Sequence, residues 1–359
     1  MELGMISFTA RGTGLLYLLS QRLRGKAACI GRAPGRFVTP EMAAAGITPS
    51  GDGGAGRFAE EMFAAGRPML FVGAAGIAVR AISPWVKDKM TDPAVLVMDE
   101  GGQFVIPILS GHVGGANELA RLIAGACGAQ PVITTATDVN RVFAVDVFAA
   151  GNGLAIADRA AARHVAMDLL EGRAVGFFNP YEVELGGQVI RRWTPQGCLP
   201  RACERNICIG VEVRPAVPGE TLRLVPRSVV VGIGCRRGTT FPALCEHLER
   251  TLARAGIMRE AVACVASIDV KRDEQAIVEL ARANGWEFIT YSAEELERVP
   301  GKFSESAFVR ETVGVGSVCE RAAVAAACGG RLILGKQAEN GVTVALALRP
   351  VRLRAEWGG

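Results

Sequence analysis

The sequence predicts an α/β protein of several domains, with mainly parallel sheets flanked by helices and a smaller α+β domain in the middle. Three observations carry that expectation. The chain has 359 residues, too many for one ordinary core and suited to two or three domains of ~100–200 residues. Half of the residues are apolar and 21% are charged, a globular balance and not a disordered one. Glycine-punctuated, β-branched runs alternate with helical apolar periodicity along the chain, which is the rhythm of parallel sheets with crossover helices.

Taken in order, PMLFVGA at 68–74 reads as a buried strand. AVLVMDE at 94–100 and QFVIPIL at 103–109 read as two more, joined through Gly101-Gly102 as a hairpin. Leu119, Leu122, Ile123 and Ala126 then fall on one face of a helix. PVITTAT at 131–137 returns to strand character. ADRAAARHVAMDLLEGR at 157–173 is helical with a glycine stop, and AVGFFN follows as a strand. Prolines and short β-like runs recur over 180–227. VPRSVVVGIG at 225–234 opens a fresh α/β unit, with Pro226 at the boundary. The apolar stripe Phe241, Leu244, Cys245, Leu248 and Leu252 marks its first helix. Helices at 273–284 and near 315–328, and strands at 287–291, 331–335 and 342–348, complete it. The expected domains are 1–138, 139–227 and 228–359. The first ~65 residues carry no distinctive pattern.

Several classes of function are disfavoured. A net charge of +4 with scattered Arg and Lys does not form the basic stripe of a nucleic-acid protein. No run approaches the ~18–20 apolar residues of a membrane span, and GLLYLLS at 14–20 is too short and too late for a secretion signal. A cytoplasmic location is expected, with the ten cysteines as thiols rather than disulfides.

The most informative stretch is MDEGGQFVIPILSGHVGGANELA, 98–120. A strand ends in Ser110-Gly111-His112, and Gly114-Gly115 lead into a helix. Glycine lets a backbone approach a ligand, and a helix N-terminus offers N–H groups to an anion or an oxyanion. The plain alternative is a tight turn with a locally bonded histidine. A nucleotide-binding α/β protein is a further reading, but the spacing is neither G-x-G-x-x-G nor a phosphate loop. GIGCRRG at 232–238 places Arg236 and Arg237 in a glycine loop between strand and helix, suited to forked carboxylate binding or simply solvated. Cys235 in that loop is either a small residue fitting a turn or a low-pKa thiol. Cys198, Cys203 and Cys208 are spaced C-x4-C-x4-C, which is not a usual zinc pattern. Glu100 ends a strand, where α/β sheets often carry sites. Arg80, Lys87 and Lys89 flank Pro84-Trp85. His164 and His247 fall on helices as surface or packing residues.

Five segments together resemble one family. VGAAGIAVRAISPWVKDKMTDPAVLVMDE with the 98–120 stretch, PVITTATD at 131–138, VVVGIGCRRGTT at 229–240, ETVGVGSVCERAA at 311–323 and LGKQAENGVTVALA at 334–347 are similar, in this order, to the cobalt-precorrin-5A hydrolases of anaerobic cobalamin biosynthesis. The resemblance implies opening of a δ-lactone on a cobalt-containing tetrapyrrole, with loss of acetaldehyde. It implies no organic cofactor and no protein-held metal, the cobalt being carried by the substrate. His112 is then expected as general base and Glu100 as its partner or alternative. Arg80, Ser110, Gly111, Gly114, Gly115, Asn117, Thr135, Asp138, Cys235, Arg236 and Arg237 are expected at the substrate, held where domains meet. Other enzymes of the same biosynthesis are expected partners, with neither nucleic acid nor membrane among them. A non-catalytic carrier of corrinoid intermediates is the alternative function.

Overall fold

In the computed structural model, residues 1–88, 91–111, 114–140, 142–213, 217–305 and 314–355 are described. Lys89, His112 and the first three residues of the 311–323 motif lie outside them. Contacts divide the chain into two compact units, Met1–Val147 and a second from Phe148 onward.

The first unit is built on seven strands: β1 Glu2–Ser7, β2 Ala28–Ala33, β3 Ile47–Pro49, β4 Met69–Val72, β5 Val95–Met98, β6 Phe104–Leu109 and β7 Gln130–Pro131. Their order is β3-β2-β1-β4-β5-β6-β7. All neighbours are parallel except β5 and β6. Strands buried on both faces show the parallel pattern of near-continuous apolar residues. Leu3, Met5, Leu70, Val72, Leu96 and Met98 pack on one face with Leu16 and Leu19 of the helix Ala10–Arg22 and with Leu119 and Ile123 of the helix Ala116–Cys127. Ile6, Met69, Phe71, Val95 and Val97 pack on the other with Phe58 and Met62 of Gly54–Ala64 and Ala78 and Ile82 of Ala75–Ile82. The central strand β1 thus lies in the segment without a distinctive pattern. The expected strand at 131–137 needs correction: only Gln130–Pro131 joins the ladder, and Ala136–Val139 is helical. The last bond to β6 runs from the Val132 amide to the Val105 carbonyl at 2.8 Å, and beyond it Thr135 and Asp138 bond to each other as the chain turns.

The second unit holds three sheets. The strands β8 Leu154–Ile156, β9 Val175–Phe178, β10 Glu182–Leu185, β11 Gln188–Ile190, β12 Cys198–Leu199, β13 Arg205–Ile209 and β14 Glu220–Pro226 precede Ser228. Of these, β12-β9-β13-β14-β8 form a sheet that is parallel except for β8. The middle region is therefore more parallel than its proline-rich sequence suggests. After it come β15 Val229–Cys235, β16 Val262–Ile268, β17 Glu287–Tyr291, β18 Arg331–Glu339, β19 Val342–Leu348 and β20 Arg352–Arg354. The third sheet, β11-β10-β20, is small, and the C-terminal sheet has the order β17-β16-β15-β19-β18. Its helix Val318–Ala326 lies so close to β15 that a Cβ on Gly232 would stand 1.8 Å from the Cys319 carbonyl oxygen. Among the described residues no helix is long and apolar enough to cross a membrane.

Candidate functional site

The turn after β6 is strained and fastened at several points. Ser110 adopts φ +56°, a left-handed conformation costing a non-glycine residue ~1–3 kcal/mol and commonest at functional sites. Its hydroxyl donates to the Asp92 carbonyl at 2.8 Å, and the Asp92 carboxylate accepts from the Lys87 amide at 2.9 Å. Gly114 and Gly115 are required by geometry. A Cβ on Gly114 would lie 2.4 Å from that of Ser110, and Gly115 begins the helix at φ +77°.

Behind the turn sits a polar cluster. The Asn117 amide donates to Thr135 Oγ1 and Asp138 Oδ2, both at 3.0 Å. Thr135 donates to the same carboxylate at 2.6 Å, and Arg121 binds its other oxygen at 2.7 Å. Asn117 is 4% exposed, and its Oδ1 has no hydrogen-bond partner among the described residues. A buried acceptor left open is uncommon. The structure thus gathers Ser110, Gly111, Gly114, Gly115, Asn117, Thr135 and Asp138, and adds Asp92 and Arg121, whose charge alone did not single them out.

Two expectations change here. The amides of Ala116 and Asn117 are spent on the carbonyls of Ser110 and Gly111, at 3.1 and 3.0 Å, so the helix start does not offer them to an anion. Glu100 is not brought to this turn. In the β5–β6 hairpin Val95 pairs with Leu109 and Met98 with Val105, which puts Glu100 on the opposite rim, on the order of 15 Å away at ~3.3 Å per residue. Its neighbour Asp99 is a turn residue, accepting from the amides of Gly101, Gln103 and Phe104. Arg80 is exposed in the last turn of its helix, and its guanidinium bonds back to the Gly76 carbonyl at 3.3 Å.

In the second unit, the loop after β15 stands at the carboxyl end of the parallel strands. The Arg236 amide bonds to the Gly341 carbonyl at 3.0 Å and its stem covers that glycine. Thr239 bonds to the Arg236 carbonyl, and the Gly238 amide to Glu274 at 3.1 Å. Glu274 pairs with Lys271 at 2.8 Å. Both arginine side chains are exposed, and the Arg237 charge acts on the Glu274 carboxylate. Burial pushes the Cys235 thiol up, against a smaller opposing pull from Lys271. That argues against an activated thiolate.

Sequence reasoning passed over Glu320. It is 4% exposed and accepts from the Ser304 amide and hydroxyl, the Ser317 hydroxyl and the Lys336 amide, at 2.7 to 3.0 Å. Burial alone would raise this carboxyl, but the donors, led by the Lys336 amide, hold it below its usual range. Its setting in CERAA, next to Arg321 on a helix, gives no local signal in the sequence. His164 is exposed and meets Glu220 at 2.8 Å, while His247 is buried with its Nε2 3.1 Å from the Gln337 carbonyl. The ten cysteines are free thiols. Cys198 is buried and pushed up to about 12, and no group of His, Cys, Asp and Glu able to hold a metal ion occurs among the described residues.

Residues 57–138 match the family model for the N-terminal part of cobalamin synthesis G, and residues 229–347 that for its C-terminus. A cobalt-precorrin-5A hydrolase from Salmonella typhimurium is 41% identical over 318 residues, covering 87% of this chain and 90% of its own. One from Priestia megaterium is 30% identical over 301 residues, 80% of each chain. A solved cobalamin biosynthesis protein G homologue from Sulfolobus solfataricus spans 97% of both chains at 18% identity, with a TM-score of 0.39.

Proposed function

The chain belongs to the cobalt-precorrin-5A hydrolase family, and we infer from that membership that it is an enzyme hydrolysing cobalt-precorrin-5A. The observation that carries this reading is 41% identity over nearly the whole chain to a hydrolase of that name. The substrate is accordingly a cobalt tetrapyrrole.

The proposed chemistry has two steps. Water adds to the lactone carbonyl and the ring oxygen leaves, giving a carboxylate and an alcohol. The alcohol then loses its proton, the bond between its carbon and the macrocycle breaks, and acetaldehyde departs. The electron pair passes to the macrocycle, which takes up a proton, so no external oxidant, reductant or organic cofactor is required. The cobalt belongs to the substrate.

The strained turn after β6 is the proposed reaction centre. His112, adjoining Gly111, takes the proton from water, since imidazole titrates near neutral pH. The amides of Gly114 and Gly115 face the developing oxyanion, and Asn117, Thr135 and Asp138 hold the turn in its catalytic shape. Glu100, on the opposite rim, serves proton transfer only for substrate groups that reach there. Arg80 receives a peripheral carboxylate, and so do Arg236 and Arg237 in the loop that also holds Cys235, which contributes size rather than nucleophilicity. The proposed setting is the cytoplasm, among other enzymes of the same biosynthesis. Anaerobic incubation with cobalt-precorrin-5A should release one equivalent of acetaldehyde. Tight binding with no aldehyde above the enzyme-free control would instead make the chain a carrier.

A further inference from the structure

Within the second unit, the carboxyl ends of β9 and β13 open into a cavity of about 870 Å³. It lies in a part of the chain that neither family model covers. Pockets for ligands of appreciable size run to ~300–1,000 Å³ and are lined mainly by apolar and aromatic groups, with a few polar ones to fix orientation.

The walls have that character. Phe177 and Phe178 end β9, and Trp193 comes from the connection between β11 and β12. Trp193 stacks on Phe148 with centroids 5.7 Å apart and planes at 15°, and meets Phe177 edge-on at 5.6 Å and 88°. This packing fixes the corner, with Phe148 and Phe177 buried and Phe178 and Trp193 half-buried. The charged lining residues are Arg192, Arg223 and Glu212, an excess of one positive charge. Arg192 is exposed and has no carboxylate partner among the described residues. Arg223 bonds through one guanidinium nitrogen to the Val213 carbonyl at 2.7 Å, while its buried Nε has no acceptor among the described residues. Guanidinium groups so lightly committed inside an aromatic-walled cavity suit a broad, flat, apolar ligand with carboxylates on its rim.

We propose that this cavity binds the tetrapyrrole face of the substrate, with Phe178 and Trp193 against the macrocycle and Arg192 and Arg223 on its peripheral carboxylates. The proposal rests on the cobalt-precorrin-5A reading for the identity of the macrocycle. The two arginines are binding residues, so their loss acts on affinity and KM and leaves kcat nearly unchanged.

The test uses the full chain and cobyrinic acid, a stable cobalt corrin polycarboxylate, with its neutral heptamethyl ester as control. Arg192→Gln and Arg223→Gln should each weaken cobyrinic acid binding about three- to thirty-fold, leave ester binding within two-fold, and raise KM for cobalt-precorrin-5A in parallel. Thr194→Trp, which fills the cavity, should weaken acid and ester alike. Folded arginine variants with unchanged Kd and KM, from an enzyme that does release acetaldehyde, would overturn the proposal. Loss of binding in these variants, from a wild-type chain that releases no acetaldehyde, would support the cavity and refute the hydrolase reading instead.

Discussion

Replacing Glu320 with alanine should be among the most destabilising single changes in the second unit. The side chain accepts four hydrogen bonds, two of them from the backbone amides of Ser304 and Lys336. Bonds to a charged acceptor contribute ~1.5–3 kcal/mol each but are not additive, and an orphaned buried donor costs ~1–3 kcal/mol. Ser304 is exposed, so water can replace part of what is lost, and ~2–4 kcal/mol is the expected net cost. For a unit of this size each kcal/mol lowers Tm by roughly 2–4 °C. Hydrogen exchange localises the effect, since the amides of Ser304 and Lys336 should lose protection first. The pH dependence has a definite sign. Glu320 is held below its ordinary 4.5, so its contribution is complete above that value and disappears as pH falls through the lower folded value. Glu320→Gln should lose this acid-dependent component while retaining shape. An alanine variant within ~0.5 kcal/mol of wild type, with both amides still protected, would refute the reasoning.

Three further outcomes are expected. Gly114→Ala pushes a methyl to 2.4 Å from the Ser110 Cβ, so it should cost ~1–3 kcal/mol by urea denaturation and lower kcat, whereas unchanged values for both would show that the turn yields freely. Arg236→Ala with Arg237→Ala should raise KM by a few-fold to a few hundred-fold, from ~0.2–1 kcal/mol per exposed pair to ~1.5–3 kcal/mol per charge-assisted bond; an unchanged KM in a folded double variant would remove this loop from binding. His112→Gln should lower kcat by ~10²–10⁴-fold with corrinoid affinity retained, and near-normal turnover would assign proton transfer elsewhere.

What could be read in advance was local. The Leu119, Leu122, Ile123, Ala126 stripe does form a helix face against the sheet. The Gly101-Gly102 hairpin is present, and Asp99 explains why it closes there. β15 begins just after Pro226. What could not be read depends on pairing between distant segments. The central position of β1, a short run containing glycine, follows from its partners β2 and β4. The distance between Glu100 and the Ser110 turn follows from an antiparallel register, although ten residues separate them in sequence. Glu320 looks like an ordinary helix residue until the loop at Ser304 and the irregular stretch of β18 at Lys336 fold over it. The cavity draws on residues spread from Phe177 to Arg223, none of which forms a motif.

The central claim is that water opens the lactone and the two-carbon unit then leaves as acetaldehyde. Single-turnover reaction of cobalt-precorrin-5A in H₂¹⁸O, with the aldehyde trapped as it forms, tests both halves at once. The account predicts one acetaldehyde per macrocycle and one ¹⁸O in the newly freed carboxylate of the product. Acetaldehyde release with an unlabelled carboxylate, or labelling with no acetaldehyde, would contradict it.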